Sequence, residues 1–142
     1  HEVTPALEDV VEATIYLSGL GFENGGLAAA HAVNDGFAQE PQAHGMYHGE
    51  KVAFGTLVQL VLEKAPQEEL EQVLAFLRDT GLPLTLAQLG VKEIVPETLK
   101  KVAEAAVVPT QSTKNLRADI TAQEVYDAIL EADRIGRDYL AR

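Results

Sequence analysis

The stretch GLGFENGGLAAAHAVNDGFAQEPQAHGMYHGEK, residues 19–51, organises the chain, because it contains seven of the eleven glycines and three of the four histidines. The alanine-rich run around His31 is a good helix former, and its small side chains let a neighbouring helix come close. We expect Gly36 to end this helix. Residues 38–47, with a proline and a glycine among them, are predicted to form a loop. The stretch therefore predicts two helices joined by a loop, with a histidine on each.

Helical patterns continue on both sides of this stretch. From His48 to Ala65 the chain is apolar on nearly every side, which is typical of a helix in the middle of a bundle. TAQE, residues 121–124, has the spacing of a capping box at the start of a last helix. Further helices are predicted over 5–18, with Gly19 as the stop and 19–26 as a connector, and over 66–80, 85–89 and 96–106, whereas 107–120 is predicted to be irregular. We therefore predict an all-α fold in which residues 1–142 form one domain, a bundle of six or seven helices.

The composition excludes several classes of function. With 11 basic and 22 acidic side chains, the chain has a formal net charge of −11. This charge argues against binding to nucleic acid, whose phosphates need lysine and arginine, and against an anionic membrane surface. No apolar run approaches the roughly 18–20 residues of a membrane span. The chain has no cysteine, which excludes thiolate metal sites and makes a cytoplasmic protein the default. Composition alone also allows an acidic all-α interaction module without a metal.

Two histidines stand out as candidate metal ligands. His31 lies within the alanine-rich helix, and His48 lies at the start of the most apolar one. A helix N-terminus disfavours a positive charge, which keeps His48 in the neutral form that binds metals. A catalytic zinc typically has three protein ligands, and the spacing of the residues alone leaves the third open. The candidates nearby are Glu23, Asp35, His44 and Glu50. The alternative is that these histidines are simply hydrogen-bonded or exposed.

The sequence around both histidines resembles a known family. GFENGGLAAAHAV, residues 21–33, and HGEKVAFGTL, residues 48–57, are similar to the glycerol dehydrogenases, a branch of the iron-containing (group III) alcohol dehydrogenase superfamily, whose fold is dehydroquinate synthase-like. The similarity continues through VTPALEDVVEA, LVLEKAP and GLPLTLAQLG. In one departure, Asn34 stands where the family commonly has a second histidine after the alanines. That change concerns the polarity beside the metal site and not its ligands.

The resemblance implies a function and a set of site residues. A full subunit of the family has an N-terminal α/β half that binds NAD and a C-terminal helical half, to which this chain corresponds. The metal, zinc with iron as the alternative, is held by one aspartate and two histidines, here His31 and His48, and the aspartate would precede His1. Phe22 matches a residue that packs against glycerol, so that Phe22, His31 and His48 are the implied substrate-binding residues. No catalytic residue beyond the metal ligands and no residue that binds NAD is identified in this chain.

The resemblance also implies a reaction and an assembly. The full-length enzyme would oxidise glycerol to dihydroxyacetone with NAD as a homo-oligomer. The isolated chain, which lacks the aspartate ligand and the NAD-binding half, is expected to be inactive.

Overall fold

A computed structural model describes residues 2–142. The helices in this part are α1, in which Pro5–Glu12, a π-helical turn Ala13–Leu17 and Ser18–Gly25 form one continuous helix, α2 (Ala29–Gly36), α3 (His48–Glu63), α4 (Gln67–Thr80), α5 (Pro96–Ala106), α6 (Thr113–Leu116) and α7 (Ala122–Leu140). Single 3-10 turns, Phe37–Gln39 and Pro41–Ala43, lie between α2 and α3. Residues 2–142 contain seven helices and no strand, which confirms the all-α prediction.

Local capping sets several of the helix boundaries. Thr121 Oγ1 accepts a hydrogen bond from the Glu124 N–H at 3.2 Å, and a Glu124 carboxylate oxygen accepts one from the Thr121 N–H at 2.8 Å. This reciprocal pair confirms the predicted capping box at the start of α7. At the C-terminal end of α4, Gly81 adopts a left-handed conformation with φ of 73°, which glycine allows at no steric cost. Both features depend only on neighbours in the sequence, which is why the sequence predicted the capping box and the end of the helix at residue 80.

The predicted stop at Gly19 is wrong. The first helix continues through Gly19 and Gly21 to Gly25 and ends at Gly26, which has a positive φ of 69°. A glycine inside a helix costs about 1 kcal/mol relative to alanine, which weakens a helix without ending it. The residues predicted to form a connector, 19–26, are therefore mostly helical, and Phe22 lies on a helix rather than in a turn.

Two further predictions need correction. Residues 85–89 form turns instead of a short helix, with a single bond of the helical type from the Leu89 N–H to the Thr85 carbonyl at 3.1 Å. Conversely, the segment predicted to be irregular, 107–120, contains the short helix α6. The buried hydroxyl of Thr113 anchors this helix by donating to the carbonyl of Ala106 at 2.5 Å. That bond links α6 to the end of α5, a pairing that the polar composition of the segment did not reveal.

The core forms where α2, α3, α5 and α7 pack on one another. Phe37 and Phe54 meet edge to face within it, with ring centroids 6.1 Å apart. As predicted, α3 is a central helix: it packs against α2 on one side and α7 on another. The fully buried large side chains are Phe37, Phe54, Leu57, Leu74, Leu84, Leu86, Leu89, Leu99, Ile129, Glu40, Val33 and Val58. This packing holds the two histidine-bearing helices side by side.

In contrast, α1 buries no residue. Its exposed large apolar side chains are Leu7, Val10, Val11, Ile15, Tyr16, Leu17, Leu20 and Phe22. Within residues 2–142, no helix combines the length and the apolar character needed to cross a bilayer.

Candidate metal site

The structure brings His31 and His48 together. Their ring centroids lie 5.4 Å apart, and the ring planes are tilted by 48°. His31, near the start of α2, is partly buried, whereas His48, the first residue of α3, is exposed. Although the two residues are 17 positions apart in the sequence, their rings are therefore neighbours in the fold.

A glycine allows α2 and α3 to approach closely. A Cβ atom built on Gly55 of α3 would lie 2.4 Å from the carbonyl oxygen of Ala30, the residue before His31. That distance is well below any normal contact, so only glycine fits at this position. One turn further along α3, the side-chain oxygen of Gln59 accepts a hydrogen bond from the Ala30 N–H at 3.0 Å. Because the N–H of Ala30 faces Gln59 and its carbonyl faces Gly55, the two helices run in opposite directions here.

The electrostatic surroundings favour a neutral His31. Partial burial lowers the pKa of the His31 imidazole, the nearby His48 lowers it further, and the carboxylate of Asp35 opposes both effects. Asp35 is itself engaged, since its two oxygens accept hydrogen bonds from Asn34 Nδ2 at 3.0 Å and Gln111 Nε2 at 3.2 Å. The neutral imidazole, with a free lone pair, is the form that binds a metal.

The separation of the two rings fits a shared cation. With zinc–nitrogen distances of ~2.0–2.1 Å and tetrahedral angles, two imidazoles on one ion have ring centroids roughly 5 Å apart. The observed separation of 5.4 Å is close to that value. Imidazole nitrogens suit both zinc and iron, so this donor set does not distinguish the two metals.

The other candidate ligands do not join this pair. His44 Nε2 lies 3.0 Å from the carbonyl oxygen of Ala38, and a Glu50 oxygen accepts from the Tyr47 N–H at 2.6 Å. Glu23 lies on α1, whose side chains are exposed. Across residues 2–142, no group of three histidine, cysteine, aspartate or glutamate side chains converges in a way that could hold a metal ion. Among the described residues, His31 and His48 therefore remain the only candidate ligands that lie together.

Several polar residues that the sequence did not single out hold the start of α2. Ser112 Oγ donates to the carbonyl of Ala28 at 2.7 Å, and Asn115 Nδ2 donates to the carbonyl of Leu27 at 2.8 Å. Both partners lie more than 80 residues away in the sequence. No local pattern signals such contacts, because they depend on how α6 folds back over the bundle.

Comparison with known proteins identifies relatives for this arrangement. No family model matches the chain. A curated glycerol dehydrogenase of Escherichia coli is 57% identical over 140 residues, which are 99% of this chain and 38% of that protein. Among solved structures, a probable glycerol dehydrogenase from Sinorhizobium meliloti superposes with a TM-score of 0.90 at 46% identity, over 96% of this chain and 39% of that one. The Schizosaccharomyces pombe glycerol dehydrogenase gives 0.91 at 42% identity, over 96% and 35%.

The chain thus spans less than two fifths of the relatives that it matches. Within that span, the sequence and structure alignments cover nearly every residue of this chain. The resemblance inferred from the motifs at residues 21–33 and 48–57 is confirmed, and this chain is homologous to a part of the glycerol dehydrogenases.

Proposed function

We propose that this chain is the helical, metal-binding part of a glycerol dehydrogenase that oxidises glycerol to dihydroxyacetone with NAD. In this proposal His31 and His48 donate two ligands to one zinc or iron ion, and Phe22 contacts the substrate. An N-terminal α/β domain, which binds NAD and contributes an aspartate ligand, makes up the rest of the subunit. The observation that carries the proposal is the 5.4 Å separation of two imidazole rings in a chain 57% identical to a glycerol dehydrogenase.

The residues of this chain have distinct tasks in the proposed reaction. A metal held by His31 and His48 would supply Lewis acidity to a substrate hydroxyl. His31, partly desolvated on α2, presents a neutral nitrogen whose position is set by the packing of α2 on α3. His48, at the exposed start of α3, presents the second nitrogen on the side open to a substrate. Hydride transfer itself belongs to the cofactor.

We also propose that the enzyme is a cytoplasmic homo-oligomer and that the isolated 142-residue chain is inactive. The lack of cysteine fits a reducing compartment. The apolar side chains exposed along α1 provide contact area for the rest of an assembly. Inactivity follows because two imidazoles leave the metal short of the three protein ligands typical of a catalytic site. NAD-dependent oxidation of glycerol by the purified chain would contradict this part of the proposal.

The ligand assignment is tested by metal content. In the full-length enzyme, His31→Ala and His48→Ala should each lower metal affinity by more than the roughly 10–100-fold that loss of an outer-sphere partner costs. His44→Ala is a matched control, because His44 lies in the same segment but bonds to the Ala38 carbonyl. Elemental analysis after dialysis should find the metal in the wild type and the control and not in the two other variants. If both retained a full complement of metal, or if the wild type bound none, a helical interaction module without a metal would be the better description.

A further inference from the structure

The start of α2 has no capping side chain of its own. The first N–H groups of a helix have no partner within it and need an acceptor from elsewhere. The residue at the capping position is Ala28, whose side chain cannot accept a hydrogen bond. Gln59 of α3 provides the acceptor instead, with its side-chain oxygen 3.0 Å from the Ala30 nitrogen. The residue that follows Ala30 is His31, so this bond is made one residue from a proposed metal ligand.

The orientation of the Gln59 amide is fixed from its other end. Its Nε2 donates to a carboxylate oxygen of Glu63 at 2.7 Å. Because the NH₂ group is engaged with Glu63, one turn further along the same helix, the oxygen faces α2. The Gln59 side chain is thus held by two hydrogen bonds, and it connects α3 to α2.

Gln59 also lies on the same face of α3 as His48 and Gly55. Positions 48, 52, 55 and 59 are spaced by four, three and four residues, which places them along one side of a helix. At one end of this face is His48, and in the middle is Gly55, which permits the close approach to Ala30. The face therefore carries one ligand directly and contacts the backbone next to the other.

We propose that Gln59 is a positioning residue: its hydrogen bond to the Ala30 N–H sets the place of His31 relative to His48. The bond ties the first turn of α2 to α3, so that the two rings share one rigid frame. The role of Gln59 in metal binding rests on the proposed metal site. Its effect on the placement of the two rings does not. A loosening of about 1 Å is enough to spoil a preorganised site, and the side chain of Gln59 opposes that movement.

The placement can be measured in the metal-free chain. Nuclear Overhauser cross-peaks between the His31 and His48 ring protons fall with the sixth power of the proton–proton distance, so they report whether the two rings, with centroids 5.4 Å apart, stay neighbours. Gln59→Leu keeps the size of the side chain but removes the acceptor, and it should weaken the cross-peak several-fold. Exchanging the two residues, with Gln59→Glu and Glu63→Gln together, keeps an acceptor at the same reach and a hydrogen bond between positions 59 and 63, and this double variant should restore the cross-peak. This rescue separates the hydrogen bond from the packing of the side chain.

A matched control is available in α4. Gln67 makes the same kind of bond as Gln59, from Nε2 to a glutamate four residues later, at 2.9 Å to Glu71. Gln67 is exposed and its hydrogen bond stays within α4. Gln67→Leu should therefore leave the ring cross-peak at its wild-type intensity. An unchanged cross-peak in Gln59→Leu, or an equal loss in the control, would overturn the proposal. If Gln59→Leu does not fold, failure of the folded double variant Gln59→Glu with Glu63→Gln to keep the cross-peak would overturn it as well.

A titration with Zn²⁺ alone distinguishes this inference from the proposed function. Gln59→Leu should weaken zinc binding roughly 10–100-fold, the range typical of residues that orient a ligand, whereas Gln67→Leu should have no effect. If the wild-type chain did not bind zinc through its histidines, the metal site would be wrong while the ring cross-peaks would still decide the role of Gln59. If zinc bound equally to all the variants, Gln59 would not position the ligand.

Discussion

The close contact between α2 and α3 makes Gly55→Ala the most informative substitution. The added Cβ would lie 2.4 Å from the carbonyl oxygen of Ala30 and 3.1 and 3.2 Å from two other backbone atoms of that residue. Because these are backbone atoms, they cannot rotate away as a flexible side chain would. Real Cβ contacts are at least 3.0 Å, so α2 has to move by 0.6 Å or more. The movement occurs one residue before His31.

The magnitude follows from two opposing terms. Alanine is preferred over glycine inside a helix by about 0.8–1 kcal/mol. Forcing an extra carbon into a well-packed contact costs about 1–3 kcal/mol. The net effect should be a loss of about 0–2 kcal/mol, which would be modest and hard to interpret by itself. A reference that isolates the first term is therefore needed.

Gly49 provides that reference, because it lies on the same helix and has no atom within 4 Å of an added Cβ. Gly49→Ala should gain the helix-propensity term of about 0.8–1 kcal/mol, so the two variants should differ by about 1–3 kcal/mol, the overpacking cost alone. Urea unfolding of the 142-residue chain, followed by circular dichroism, measures the free energy of unfolding of each variant. The comparison holds if the dependence of that free energy on urea concentration is the same for both variants. If Gly55→Ala were as stable as Gly49→Ala, the close approach of the two helices would be refuted.

Two other substitutions test separate parts of the molecule. Asp133→Ala removes a buried carboxylate that accepts a hydrogen bond from the Leu86 N–H at 2.8 Å. The free energy of unfolding should fall by about 1–3 kcal/mol, because that N–H is left unsatisfied, whereas Asp133→Asn keeps an acceptor and should cost less. Equal stability of Asp133→Ala and the wild type in urea would contradict this. Glu124 accepts from the Thr121 backbone N–H and from Arg117, which lowers its pKa to about 2. Its contribution to stability is present above the ordinary value of 4.5 and is lost as the pH falls towards 2. Between pH 4.5 and 2, the free energy of unfolding of Glu124→Gln should therefore fall less steeply with decreasing pH than that of the wild type. Identical pH profiles for the variant and the wild type would rule this out.

Helix boundaries set by neighbouring residues were predictable. Thr121 and Glu124 lie three residues apart and cap one another, and Pro96 begins α5 where its fixed φ suits a first turn. The error at Gly19 has a related cause. A glycine allows a helix to end without requiring it, and the end came at Gly26, where the backbone adopts a positive φ. Four glycines lie at positions 19, 21, 25 and 26, and the sequence alone does not tell at which of them the helix ends.

The sequence by itself determined that the chain is helical, acidic and free of cysteine, and that two histidines on adjoining helices resemble a metal-binding pair. Only the tertiary structure decided that their rings lie 5.4 Å apart. That distance depends on the contact of Gly55 with Ala30 and on the hydrogen bond that Gln59 accepts from the Ala30 N–H. It also depends on Ser112 and Asn115, which donate to carbonyls at the start of α2 more than 80 residues earlier in the sequence. Capping and periodicity act over about one helical turn and can be read along the chain. The approach of two helices is set by atoms that become neighbours only after folding.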